Sequence, residues 1–230
     1  MKIIVPLAGP DFILENGSTK AEIEYCGDDI LHYILKKRPW YKYTLSTDYI
    51  FVLQDTEQTR SLVNNKLKVW FPNAKIILLS HITNGAALSS STSLGYIDDK
   101  NEKIIIDLGD IDYDIDDSII SDINSIEIND ALALTFTSNN PIYSYLLFDQ
   151  SNNFIKSKEK KVISSVASAG TYIFGSYHAF VNALDFALLN KKELLHNGLL
   201  YLCPLFNGIK HNKGKVYKKE VINIVDLKTI

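Results

Sequence analysis

The sequence predicts an α/β domain, and three observations carry that expectation. Short apolar, β-branched runs recur at residues 2–7, 49–53, 75–79 and 103–107. Between them lie segments whose apolar residues follow the 3.6 period of a helix. After Asp110 the rhythm changes to short strand-like runs with tight turns, so the second half reads as mixed and partly antiparallel. Strand–helix alternation in the first half calls for a parallel sheet covered on both faces and joined by right-handed crossovers.

Residues 2–7 (KIIVPL) read as a fully buried strand, because five of the six are apolar or Pro. A polar, Gly-containing stretch follows over 8–20. Asp28 and Asp29 stand where a helix cap is wanted, ahead of Ile30, Leu31, Ile34 and Leu35 on one helical face. The run 49–53 is the second strand, after which Asp55 or Thr56 opens a helix through Leu62, Val63, Leu67 and Val69. Residues 75–79 form the third strand, 86–96 a small-residue helix and 103–107 the fourth strand. Beyond it, 131–137, 144–148, 154–158 and 169–174 are strand-like, with Gln150 to Asn153 as a hairpin loop. Helices are expected over 177–189 and 199–209, and a late strand over 215–220. With neither repeat nor linker, residues 1–230 read as a single domain.

Composition narrows the function. Apolar residues make up 46% and charged residues 22% of the 230, values of a globular chain with an ample core. The net charge of −3 and the scarcity of arginine (Arg38 and Arg60) argue against nucleic acid as the main partner. No apolar run approaches the roughly 20 residues of a membrane span. Cys26 and Cys203 form neither a disulfide framework nor a zinc knuckle. The expectation is a soluble, cytoplasmic protein.

In an open parallel sheet, ligands bind beyond the carboxyl ends of the strands, and three segments qualify. Leu7-Ala8-Gly9-Pro10 follows the first strand; Gly9 allows close backbone approach to an anion, and Lys20 can supply a point charge to a phosphate. Thr83-Asn84-Gly85-Ala86-Ala87 leads into a helix whose amides can hold a phosphate or the edge of a base; tight packing that demands small side chains is the structural alternative. The segment from Asp107 to Asp117 holds six carboxylates in eleven residues. Asp107 and Asp110 fall at the end of the fourth strand, where oxygen ligands could hold a divalent cation, whereas Asp112 to Asp117 read as a solvated acidic turn. The histidines lack partners at recognisable spacing, and the serines at 89–91 read as helix packing rather than a nucleophile elbow. Lys156, Lys158, Lys160 and Lys161 form a basic run, either a solvated face or a contact for the anionic end of a substrate.

The order of these segments resembles the sugar-phosphate nucleotidyltransferases of capsule and lipopolysaccharide synthesis, and within them the small cytidylyltransferase-like members. Residues 2–9 (KIIVPLAG) look like that family's first strand and the start of its nucleotide loop. Residues 73–79 followed by Asn84-Gly85-Ala86-Ala87 are similar to its third strand and nucleobase-contacting segment. Residues 105–110 resemble the strand that ends in the magnesium aspartate. Residues 135–138 with Pro141, Tyr143 and Tyr145 match the next strand and turn. Glu159-Lys160 resembles the pair that contacts the acceptor, 168–172 (SAGTY) its Asn-Ala-Gly-x-Tyr strand, and 200–206 the following helix.

The resemblance implies a Rossmann-like, three-layer mixed sheet of the nucleotide-diphospho-sugar transferase (GT-A-like) type, with a nucleotide-binding half at about 1–117 and an acceptor-binding half at about 118–230. It implies a magnesium-dependent transfer in which an acceptor phosphate attacks the α-phosphorus of a nucleoside triphosphate and pyrophosphate leaves. Leu7, Ala8, Gly9, Asn84, Gly85 and Ala86 would bind the nucleotide. Lys20 and Asp110 would be catalytic, and Glu159, Lys160, Gly170 and Tyr172 would hold the acceptor. Asp110 would carry the metal together with Asp226, Asn223 being the alternative at the second position. A homodimer is the candidate assembly.

The chain departs from the family pattern at two places. The nucleotide loop normally reads Gly-Gly-x-Gly-x-Arg, but here Gly9 is followed by Pro10, Asp11 and Phe12. The later Pro-Lys-Pro appears as Thr19-Lys20-Ala21. Pro10 has no amide donor, and Asp11 brings negative charge to where a triphosphate would lie. Two other classes therefore stand beside the enzyme: a noncatalytic relative acting as a binding or scaffold subunit, and a glycosyltransferase of similar sheet topology.

Overall fold

The structure, a computed structural model, describes residues 1–227. In chain order the first half comprises β1 (Lys2–Pro6), the two-residue strands β2 (Glu24–Tyr25) and β3 (Asp28–Asp29), α1 (Ile30–Lys37), β4 (Tyr49–Gln54), α2 (Glu57–Leu62), α3 (Lys68–Trp70), β5 (Lys75–Leu79), α4 (Ala86–Ser91), β6 (Ile104–Asp107), β7 (Ile111–Asp114) and α5 (Ile119–Ser125). The second half comprises β8 (Ala131–Thr137), β9 (Tyr145–Phe148), β10 (Phe154–Lys158), β11 (Val166–Phe174), α6 (Tyr177–Leu189), α7 (Lys191–Leu194), α8 (Phe206–His211), β12 (Val216–Glu220) and β13 (Ile222–Asp226).

Among the described residues nine strands form one sheet, ordered β10-β9-β11-β6-β1-β4-β5, with β8 along the other edge of β11 and β12 beyond it. Strands β5, β4, β1 and β6 are mutually parallel, and β11 turns the sheet antiparallel by pairing against β6. The expected mixed α/β sheet is thus present. Alternate side chains of a strand point to opposite faces, so Val5, Phe51 and Ile105 enter one core while Ile4, Ile50 and Ile106 enter the other. Both faces are covered, which is why these runs are apolar throughout rather than alternating. One core is closed by Leu31 and Leu35 of α1, Leu62 of α2 and Ile119 and Ile123 of α5. The other is closed by Ala87 of α4, Phe180 and Ala183 of α6 and Phe206 of α8.

Several local expectations are corrected. The helix after β4, capped by the Thr56 hydroxyl on the Thr59 amide, is interrupted by a π-turn over Val63–Leu67, and Val69 faces solvent. The small-residue helix ends at Ser91 and continues to Tyr96 as a 3-10 turn. Residues 199–202 are not helical, because the Leu200 amide donates to the Asn84 carbonyl and the Leu200 carbonyl accepts from the Ala87 amide. Helix resumes only with the 3-10 turn Cys203–Leu205 and α8.

The largest correction concerns the acidic segment. It is no solvated turn at its start: Ile111–Asp114 is a strand, paired antiparallel with β13. Asp112 is buried, and the Lys37 ammonium lies 2.7 Å from both the Asp112 and the Asp114 carboxylates. Alternation decides this, since Ile111 and Tyr113 fill the core on one side while the aspartates meet a helix-borne cation on the other.

Candidate active site

Strands β1 and β6 are neighbours, with Ile4 opposite Ile106, so the turn after β1 and the loop after β6 leave the same edge of the sheet side by side. A cleft of about 1020 Å³ opens there, at the carboxyl ends of the parallel strands. Its walls include Leu7, Ala8, Gly9, Lys20, Gly85, Ala86, Asp110, Glu159, Lys160, Gly170 and Tyr172. Residues drawn from six separate segments of the chain meet in this one space. Asn84 and Asp226 do not line it.

On the nucleotide-loop side, the chain from Gly9 to Lys20 folds back on itself. The Phe12 amide donates to the Gly9 carbonyl at 3.2 Å, and the Lys20 amide to the Phe12 carbonyl at 2.8 Å. Thr19 and Glu22 close the turn reciprocally, the Glu22 carboxylate accepting from both the Thr19 amide and its hydroxyl. Within this frame the Lys20 ammonium sits 2.5 Å from Asp11. A Cβ placed on Gly9 would come within 3.0 Å of the other Asp11 oxygen, so the carboxylate lies directly over the loop glycine. Asp11 thus already satisfies the cation and covers the glycine that a bound phosphate would use.

Across the cleft, Asp110 rests over Gly170. Gly170 has φ of +77° and sits where the β11 register shifts against β8; a Cβ there would approach Asp110 Oδ1 to 2.9 Å. The Leu108 amide donates to the Gly170 carbonyl at 3.0 Å, joining the loop to the bulge. Behind Asp110 lies an ion pair that the sequence did not advertise. Arg38, at the end of α1, donates from Nε to Asp107 at 2.8 Å and from Nη2 to the Ile111 carbonyl at 2.9 Å. Both side chains are 1% exposed. Burial opposes the Arg38 charge, but the adjacent Asp107 carboxylate more than offsets it and raises the guanidinium pKa. Asp107 is therefore a counter-ion inside the fold rather than a cation ligand facing the cleft.

Asp226 reaches this region through the β7–β13 pair. It lies opposite Ile111, and the Leu227 amide donates to the Asp110 carbonyl at 3.2 Å. The cleft-lining Tyr143 hydroxyl donates to Asp226 at 2.6 Å. Burial, the bond to Asp226 and the further negative charge of Asp110 push the Tyr143 pKa far up, so one phenol senses both carboxylates. Asn223, by contrast, is spent on an exposed bond to Asp114 at 2.6 Å. Among the described residues no group of three or more His, Cys, Asp or Glu side chains could by itself hold a metal. Magnesium commonly takes one or two carboxylates from the protein and the rest from water and substrate phosphate; Asp110 offers one at the cleft wall, while the Asp226 carboxylate accepts from Tyr143 outside the lining.

The wall bearing Ser144, Glu159 and Tyr172 is polar and buried. The Ser144 hydroxyl donates to Glu159 in a short hydrogen bond, and Tyr172 lies at the end of the β11 bulge. Burial first, then the nearby Cys203 and Glu159, raises the Tyr172 pKa well above its ordinary value. Lys160 adopts φ of +47°, a conformation uncommon outside glycine, and its ammonium lies 5.4 Å from the Tyr201 ring centre. Lys158, Glu159, Lys160, Lys161 and His196 also border a smaller hollow of about 300 Å³.

At the remaining wall, Gly85 has φ of +114°, and an added Cβ would meet the Leu200 carbonyl oxygen at 2.3 Å. The small residues there let the 199–202 segment pass, and the Ala87 amide is consumed by Leu200. The packing alternative thus accounts for Gly85 and Ala87, and Asn84 serves through its backbone carbonyl. Sequence reasoning missed Phe12, Leu31, Ile82, Leu108, Leu199 and Leu202, all apolar residues of the wall. Nothing in their local pattern distinguishes them from core. Tyr143 and Ser144 lay within a segment already singled out.

These features define the class: an α/β fold built on a mixed sheet, with a largely apolar cleft at the strand ends that carries a few charged and polar groups. No protein-family model matches the chain, and no curated protein does. Solved structures of the same fold are found. One is a nucleoside-diphosphate-sugar pyrophosphorylase from Vibrio cholerae RC9, 16% identical, with a TM-score of 0.81 over 99% of this chain and 95% of that one. A second, from Bacillus anthracis, is described as a glucose-1-phosphate thymidylyltransferase in complex with sucrose; it is 15% identical, with a TM-score of 0.72 over 98% and 89%. A third is HddC from Yersinia pseudotuberculosis, complexed with GMP-PN, at 14% identity and a TM-score of 0.61 over 98% and 93%. At these identities the likeness is one of fold, and the expected fold is borne out. No helix among the described residues is long and apolar enough to cross a membrane.

Proposed function

We propose that this chain is a nucleotidyltransferase that joins a nucleoside triphosphate to a sugar phosphate or similar phosphorylated acceptor, releasing pyrophosphate. The observation that carries this reading is the convergence of Gly9, Lys20, Asp110, Glu159, Lys160 and Tyr172 on one cleft. Leu7 to Gly9, with Gly85 and Ala86, form the wall for the nucleotide, and Glu159, Lys160, Gly170 and Tyr172 the wall for the acceptor. An acceptor phosphate oxygen bonds to the α-phosphorus as the bond to the β-phosphate bridging oxygen breaks. Lys20 neutralises charge on the triphosphate, and the walls of the cleft hold the two phosphates in line. Magnesium, held by Asp110 and Asp226, would supply charge neutralisation at the reacting phosphates. Supply of a nucleotide-activated sugar for surface-polysaccharide synthesis in the cytoplasm is the role this activity would serve.

A second reading rests on Asp11. Its carboxylate lies over Gly9 and occupies Lys20, the arrangement expected of a relative that keeps the fold for binding and has lost turnover. Calorimetric titration with CTP, UTP and dTTP in magnesium decides between them. The enzyme predicts heat with one triphosphate, pyrophosphate release with an acceptor, and loss of release by at least a hundredfold in Asp110→Ala. Absence of heat with every triphosphate sinks it in favour of the binding subunit.

A further inference from the structure

We propose that Arg38 is a positioning residue for Asp110: its guanidinium clamps both ends of the 107–111 turn and so holds the Asp110 carboxylate in the cleft. Four observations converge on it. Arg38 Nε donates to Asp107 Oδ2 at 2.8 Å, at the start of the turn, and Nη2 donates to the Ile111 carbonyl at 2.9 Å, at its end. Asp107 Oδ1 in turn accepts from the Gly109 amide at 3.0 Å, so the carboxylate pins the middle of the turn as well. The guanidinium carbon lies 3.6 Å from the centre of the Tyr113 ring, whose hydroxyl meets Thr171 Oγ1 at 2.7 Å. Thr171 adjoins Gly170, the residue that makes room for Asp110, so the clamp ties the loop and its seat into one unit.

Stability alone does not explain the pair. A buried ion pair is often replaceable by apolar residues at no loss, because desolvation consumes most of the attraction. Here the Arg38 Nη1 atom is buried without a hydrogen-bond partner among the described residues, an added cost. What an apolar substitute cannot supply is a donor aimed at the Ile111 carbonyl and an acceptor for the Gly109 amide. A planar fork spanning two acceptors is also beyond lysine.

The catalytic meaning of the clamp rests on the nucleotidyltransferase reading, whereas the clamp itself does not, and the experiment separates them. Arg38→Met leaves Asp107 buried and alone, and is expected to lower the unfolding midpoint. Arg38→Met/Asp107→Leu removes both charges and is expected to recover it. In the double variant, amide exchange over residues 108–111 should accelerate at least tenfold while exchange in β1 and β6 stays at the wild-type rate. The magnesium concentration for half-maximal turnover should rise about tenfold. Wild-type exchange at 108–111 together with a wild-type magnesium requirement would overturn the proposal. If the double variant does not recover stability, Arg38→Lys serves in its place, with accelerated exchange expected and unchanged exchange refuting. If no triphosphate binds the wild-type protein, the functional reading falls, and hydrogen exchange alone decides the clamp.

Discussion

Asp11 is the residue that most separates this cleft from an open phosphate site, and its removal has a definite expected effect. The carboxylate is 75% exposed on its side chain and pairs with a Lys20 ammonium that is 37% exposed, so water screens both strongly. At water-like dielectric, two unit charges about 4 Å apart interact by about 1 kcal/mol. Exposed ion pairs measure about 0.2–1 kcal/mol, which places the pair itself at the same scale. Asp11→Asn removes a like charge from the triphosphate's path and releases Lys20 from its partner. The two effects together should tighten triphosphate binding about fivefold, close to 1 kcal/mol at 25 °C. Calorimetry at about 50 and 300 mM salt is the assay, because screening should shrink the gain at the higher ionic strength. Unchanged or weaker binding at low salt would refute the electrostatic reasoning and would assign Asp11 a favourable role toward the ligand.

Three further results are expected. Gly85→Ala combines a left-handed backbone with a Cβ 2.3 Å from the Leu200 oxygen; strain and overpacking together should cost about 2–5 kcal/mol in urea unfolding, and a loss under about 0.5 would refute the close approach. Gly170→Ala would press on the Asp110 carboxylate at 2.9 Å, so turnover should fall more than tenfold, and a wild-type rate would show that Asp110 has room to move. The Asn223 hydrogen bond and the Lys37 charge hold the Asp114 pKa below the ordinary value. A depressed carboxyl pKa stabilises the fold above the unfolded value of about 3.9 and loses that contribution as pH falls through the folded value. The stability gap between wild type and Asp114→Asn should therefore close on acidification from about pH 5 toward pH 2, and a constant gap would contradict the pairing.

Strands β1, β4 and β6 were legible because each is buried on both faces, and a short run without polar alternation belongs in the middle of a covered parallel sheet. The face of α1 was legible for the complementary reason, its apolar residues falling at helical spacing. The β7–β13 pair was not. Its strands are short and rich in aspartate and asparagine, residues that disfavour strands on propensity. They hold because Lys37 and Tyr143 answer the carboxylates from elements 70 or more residues away in sequence. Residues 199–202 likewise carry a helical pattern that two hydrogen bonds to the 84–87 loop override.

Periodicity committed the chain to a two-faced mixed sheet, and the turns at its strand ends offered Gly9, Lys20, Asp107 and Asp110 as candidates, of which the family resemblance singled out Asp110. Those follow from local rules: burial demands apolar runs, and turns demand glycine. Which carboxylates face the cleft and which are spent inside the fold depended on distant partners. Arg38 takes Asp107, Lys37 takes Asp112, and Lys20 takes Asp11, each because folding brings together charges that no spacing in the sequence relates.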